Sequence, residues 1–206
     1  MTTYPHTSKL TKGAIIGLDY TNPLASVVIF QYNPKKLKRQ MQSSAPGKSE
    51  GKGEPTKLMG PPSETIDITI EIDAADQLEH GKSIAANMGI HPQLAALEML
   101  LYPKRAHVLV NAALSLFGSI EIVPPEAPLA LFIWGAKRIL PVNVKSFSIR
   151  EETHDSRLNP IQAEVDINMQ VLTYNDFGTT HPGFYLALTN HVVKEAMAVV
   201  ALASHF

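Results

Sequence analysis

No cysteine occurs in the 206 residues, so disulfides and thiolate metal sites are excluded and synthesis in a reducing compartment is expected. No excess of either charge is present: 18 Lys and Arg stand against 19 Asp and Glu, a net charge of -1. That balance gives no electrostatic case for nucleic acid or an anionic membrane, and it leaves little repulsion to oppose self-association. Long apolar runs are missing too. The nearest, "AMAVVALA" at 196–203, is far short of the ~18 residues that cross a bilayer. The opening "MTTYPHTSKL" lacks the basic-then-apolar build of a signal peptide. The expectation is a soluble protein made in the cytoplasm, with no direct membrane span.

Catalytic signatures are equally scarce. There is no G-x-S-x-G and no H-E-x-x-H among the eight histidines. "GKSEGKG" at 47–53 imitates a phosphate loop, but Gly47 to Gly51 is one residue too short. Gly53 also stands where Ser or Thr belongs, and no helix is expected after it. "EETHD" at 151–155 gathers Glu151, Glu152, His154 and Asp155, which reads as a solvated hairpin tip before it reads as a metal site or a hydrolase centre. The expectation is no enzyme activity, no cofactor and no metal.

What remains is a β-rich chain of a length suited to one domain spanning 1–206. "ASVVIFQY" at 25–32 is apolar on both faces and predicts a strand buried on both sides or packed between subunits. It ends at Asn33-Pro34, because Pro34 has no N–H for a ladder and holds Asn33 extended. Lys35, Lys36, Lys38 and Arg39 follow as a non-periodic cationic run. Residues 43–63 hold four glycines and four prolines and predict a flexible loop.

"ETIDITIEID" at 64–73 alternates Ile66, Ile68, Ile70 and Ile72 with Asp67, Thr69, Glu71 and Asp73, a strand with one apolar and one acidic face. Two helical stretches come next, the second with Pro92 at its start and a stripe of Leu94, Leu97 and Leu101. Residues 104–125 fit strand or helix. "LALFIWGAKRILPVNVKSFSIREE" at 129–152 predicts a strand, a turn at Gly135-Ala136 and a longer strand, with Trp134 and Gly135 as a structural anchor. "IQAEVDINMQVLTY" at 161–174 alternates strictly, placing Glu164, Asp166, Asn168 and Gln170 on one polar face. The two strands predict a hairpin of about 40 Å, long enough to reach beyond its own domain. A helix at about 183–203 closes the chain, with Phe184, Leu188 and Val192 as its apolar stripe and a last stretch that needs cover.

"FQYNP", "IDITIEIDAAD", "GIHPQLAALEMLLYP", "LFIWGAKRILPVNVKSFSIREE" and "LNPIQAEVDINMQVL" occur in this order over residues 25–203. The series resembles the contractile injection system tube-protein family, the tube-initiator and baseplate hub proteins of phage-tail-like particles. The resemblance implies a mainly β tail-tube fold with flanking helices: two packed antiparallel sheets in a split barrel, a long β-hairpin and a C-terminal helix. It also implies a homo-oligomer, a ring of six around a lumen between the central spike and the inner tube, with spike protein, inner tube protein and other baseplate subunits as partners. Longer relatives carry a C-terminal LysM-like module, for which this chain leaves no room.

Within that frame Phe30, Tyr32, Lys35, Lys36, Lys38 and Arg39 are the candidate subunit or ring interface. Glu164, Asp166, Asn168 and Gln170 are the candidate lumen-facing residues, with the "DITIEID" face as an equal alternative. The function expected is a non-enzymatic ring that starts tube assembly. The alternatives are an ordinary inner-tube subunit or, in another class, a small-ligand-binding β-barrel with Trp134 at its mouth.

Overall fold

The structure, a computed structural model, describes residues 11–18, 26–44, 60–79, 83–102, 105–116 and 129–203. Among these it is mainly β, and the strands are β1 (Ala14–Leu18), β2 (Ser26–Ile29), β3 (Leu37–Gln42), β4 (Ser63–Asp73), β5 (Leu129–Ile133), β6 (Ile139–His154) and β7 (Pro160–Val171). All seven join one antiparallel sheet in the order β2-β1-β5-β6-β7-β4-β3. Where two packed sheets were expected, the molecule has two halves of one continuous sheet. The halves share a core: Ile15, Val28, Phe30 and Phe132 from one lie in a single cluster with Ile66, Ile70, Val165 and Met169 from the other. The Gln31 side chain, just past β2, accepts a hydrogen bond from the Asp73 N–H at the end of β4 (3.0 Å).

The strand predicted over 25–32 is shorter, and its apolar residues divide between core and surface. Val28 and Phe30 are buried, whereas Ile29 is exposed, because an edge strand of a folded-over sheet has only one dry side. The Asn-Pro that ends it has a second use: Asn33 Oδ1 accepts from the Gly13 N–H and Asn33 Nδ2 donates to the Thr11 carbonyl. The residue after β2 is thereby stapled to the entry of β1. The cationic run is not irregular throughout, since residues from Leu37 onward form β3 against β4. Of the predicted loop, residues 45–59 lie outside the described residues.

Five helices accompany the sheet: α1 (Ala75–Glu79), α2 (Ser83–Met88), α3 (His91–Glu98), α4 (Arg105–Leu116) and α5 (Pro182–Ala203). The first half of the ambiguous stretch is thus helical, and 117–125 lie outside the described residues. In α3 Leu94 and Leu97 are buried as expected, but Leu100 takes the third core position and Leu101 faces solvent. The helix ends at Glu98, so the i+7 spacing no longer applies there.

Gly89, between α2 and α3, has φ +57°, and a Cβ there would lie 2.1 Å from the Pro160 carbonyl oxygen. That oxygen accepts the Ile90 N–H at 2.9 Å. The far half of the β6–β7 hairpin is therefore covered on its apolar side by this chain's own α2–α3 corner, and it does not run free beyond its domain. Its tip is shaped by Asp155, whose carboxylate accepts from the Arg157 and Asn159 N–H groups and from Asn159 Nδ2. Those bonds, the Asn159 side chain foremost, hold the Asp155 carboxyl below its ordinary pKa. Leu158 stands in the left-handed region at φ 63°, a conformation that costs a leucine about 1–2 kcal/mol.

α5 packs through Gly183, Ala187 and Asn190, whose Nδ2 donates to the Ile139 carbonyl. Of the stripe expected to be its buried face, Phe184 is half-buried against Tyr174, whereas Leu188 and Val192 are turned outward, Val192 being 55% exposed. Small and hydrogen-bonding residues win the inner face because they let the helix approach the strand ends closely. By length and composition alone α5 could cross a membrane, a correction to the reading that no segment could. Its middle is nonetheless hydrogen-bonded to the sheet.

Candidate functional site

The polar face begins with strand register. β4 and β7 pair Asp67 with Asn168, Thr69 with Asp166 and Glu71 with Glu164. β6 adds Ser146 beside Asn168, Ser148 beside Asp166 and Arg150 beside Glu164, while β3 adds Lys38 beside Asp67. Side chains opposite one another in an antiparallel pair share a face. The two polar surfaces weighed as alternatives in the sequence are therefore one surface, four strands wide.

Its groups are tied laterally. Asn168 Nδ2 donates to Asp67 Oδ1 (2.6 Å), Thr69 Oγ1 donates to Asp166 Oδ1 (2.6 Å), and Arg150 Nη2 donates to Asp166 Oδ2 (2.7 Å). Arg150 also lies 3.6 Å from Glu164, and Lys38 3.7 Å from Asp67. The Thr69 hydroxyl, and after it Arg150, hold the Asp166 carboxyl below its ordinary pKa. Asp166 and Glu164 in turn raise that of Arg150. Among the register-paired positions, Asp67, Glu71, Asp73, Glu164 and Asp166 outnumber Lys38 and Arg150. The face is wet, acidic and cross-linked by hydrogen bonds.

This face has two open margins among the described residues. On one side lies β3, which pairs with β4 only as far as Ile68; beyond it no strand pairs with that edge of β4 among the described residues, and the Asp73 N–H is taken by the Gln31 side chain of the same chain. On the other lies β6, which pairs with β5 only over Ile139–Val142. From Asn143 to His154 its edge away from β7 has no paired strand among the described residues. Unpaired strand edges invite another strand. β6 runs antiparallel to β7, β7 to β4 and β4 to β3, so β6 and β3 point opposite ways. A second copy's β3 laid beside β6 would continue the antiparallel alternation. The margins also differ in charge: exposed Lys36 and Lys38 on one, exposed Glu151 and Glu152 on the other.

The residues expected to meet a neighbour are divided by the fold. Phe30 is 1% exposed, packed against Trp134 at a ring-centroid distance of 6.4 Å. It cannot reach another subunit, and its place in the interface set is withdrawn. Tyr32 is 49% exposed. Lys35 and Lys36 are exposed and have no ion-pair partner among the described residues. Arg39 faces inward on β3, where its Nη2 lies 2.6 Å from Glu64 Oε1. Trp134 stacks on Phe132 at 5.9 Å, and Gly135, at φ +74°, turns the chain from β5 into β6.

Sequence reasoning missed the cluster around Glu64. This carboxylate is 3% exposed and is held by Arg39 from β3 and by Lys194 Nζ from α5 at 3.1 Å. Its signal was present: Glu64 occupies the inward position of the alternation that continues with Ile66, Ile68, Ile70 and Ile72. Beside it, between α5 and the sheet end, lies an apolar cleft of about 380 Å³ lined by Met41, Leu140, Val171, Leu172, Ala187 and Ala198 among others. In "EETHD", His154 Nε2 lies 3.2 Å from Glu151 Oε2, while Asp155 is committed to the turn.

No protein-family model matches the chain and no curated protein is similar to it in sequence, so the ordered motifs stand as a resemblance. Among solved structures, a chain from the tail of an empty gene transfer agent particle, reconstructed with helical refinement under C6 symmetry, is 14% identical over 77% of this chain and 90% of that one, with a TM-score of 0.31. A superposition this loose establishes nothing about how the present chain assembles.

Proposed function

We propose that the chain is a structural, non-enzymatic subunit of a phage-tail-like particle. Six copies form a ring that links the central spike to the inner tube and starts tube assembly. The observation that carries this reading is the four-stranded acidic face whose two margins, of opposite direction and opposite charge, have no paired strand among the described residues. An even number of strands per copy lets identical sheets join without a parallel step, and closing the ring removes every open edge of that face. The polar side then lines a water-filled bore, while the apolar side stays on each subunit's core. The resemblance of the ordered motifs to those of tube-initiator proteins supports the same reading.

The test is a charge swap across the junction. Lys36→Glu with Lys38→Glu should leave the monomer folded and reduce ring formation at least tenfold. Adding Glu151→Lys and Glu152→Lys should restore it. Rings that form unchanged in the double-lysine variant would overturn the junction.

A further inference from the structure

We infer that α5 seats the chain on an anionic membrane surface: its last two turns enter the acyl layer while a cationic pocket at their base takes a lipid phosphate. From Ala196 to Ala203 the helix has no charged residue. At about 3.6 residues per turn, Met197, Val199, Val200 and Leu202 point to different sides of it. All four are exposed, Val200 and Leu202 at 66%. A protein surface covers one side of a helix, whereas a stretch that is apolar all round needs cover all round, which lipid supplies. The whole helix is long and apolar enough by composition to cross a bilayer, but Asn190 and Lys194 tie its middle to Ile139 and Glu64. The part beyond Lys194 rises only about 12 Å, deep enough to pass the headgroups and too short to cross a hydrocarbon core of ~30 Å.

Charge selects the lipid. A cavity of about 260 Å³ opens beside Met197, lined by Arg39 from β3, Lys137 and Arg138 from the β5–β6 turn, Lys194 from α5, and Trp134. No acidic side chain among the described residues lines it. Arg39 and Lys194 share the one carboxylate of Glu64, and Lys137 and Arg138 have no ion-pair partner among the described residues. Glu195, the acid nearest along the helix, pairs with His191 and lines the apolar cleft instead. Four cations against one carboxylate make a local excess that the net charge of -1 conceals. A lipid phosphodiester supplies the missing anion, and Trp134 is a side chain suited to headgroup level. Apolar insertion and attraction to anionic lipid then add. Free phosphate would satisfy the cavity but leave the helix end bare. This surface uses none of Lys36, Lys38, Glu151 and Glu152, so it stands apart from ring closure.

Flotation of the full chain with lipid vesicles tests it. The chain should float with vesicles of equal parts phosphatidylglycerol and phosphatidylcholine, and bind pure phosphatidylcholine at least tenfold more weakly. Val200→Asp with Leu202→Asp, at exposed positions, should lower binding to the mixed vesicles at least tenfold with circular dichroism and native mass unchanged. Lys137→Glu with Arg138→Glu should do the same, while Lys137→Arg with Arg138→Lys should bind like the parent. Equal binding to both kinds of vesicle, binding that survives either acidic pair, or no flotation at all overturns the inference. So does a fall in native mass on Val200→Asp with Leu202→Asp, which would give the helix end to a second copy. Vesicle binding by a chain that never forms rings would retain this surface and remove ring closure; rings that bind no vesicles would do the reverse.

Discussion

At the scale of single residues, Arg39 shows why charge in a sequence is ambiguous. It sits in a cationic run and reads as a docking residue, yet strand register turns it inward onto a carboxylate that water barely reaches. Removing Arg39 takes away one of the two cations on a buried carboxylate and leaves Lys194 in place. Arg39→Met is therefore expected to lower unfolding free energy by about 1–2 kcal/mol in urea titrations, whereas Lys36→Met should change it by less than ~0.5 kcal/mol. Gly89→Ala combines a left-handed backbone with a Cβ forced onto the Pro160 carbonyl, and a loss of roughly 2–5 kcal/mol is expected. Gly135→Ala, with open space around it, should cost about 1–2 kcal/mol.

Asp155 and Asp166 both have folded-state pKa values below their unfolded ones. Their contribution is complete above the ordinary aspartate range and disappears as pH falls through the folded values. Acid unfolding of Asp166→Asn should accordingly be less steep than that of the parent.

At the scale of elements, legibility followed period. β4 and β7 alternate strictly in the sequence, and the structure pairs them over ten positions with every isoleucine inward. The long hairpin and closing helix were readable for the same reason. β3 was not, because "LKRQMQ" is an edge strand whose only dry contact is β4, so its composition is that of a surface. Burial of Phe30 was readable from its apolar strand, but what buries it was not, since Trp134 lies about a hundred positions away and only the fold brings them together. α5 misled in the opposite sense: its largest apolar residues suggested the buried stripe, but close approach to β6 favoured Gly183, Ala187 and Asn190. Lys194→Ala should loosen this helix from Glu64, which faster amide exchange along its inner face would register.

At the scale of the whole molecule, the sheet is finished only in part. Its apolar side is closed by its own halves and by α2–α3, while its acidic side ends in two edges without a paired strand among the described residues. Cysteines introduced at Asp166 and Asn168, in a chain that has none of its own, should be shielded from bulky thiol reagents in assembled particles and open in the dissociated subunit. Equal labelling in both states would place this face outside the bore. The most direct test of ring closure is the native mass of the purified chain. The account predicts a species of six times the 22.5 kDa subunit. A compact species of one subunit mass at every concentration, with both sheet margins still bare, would contradict it.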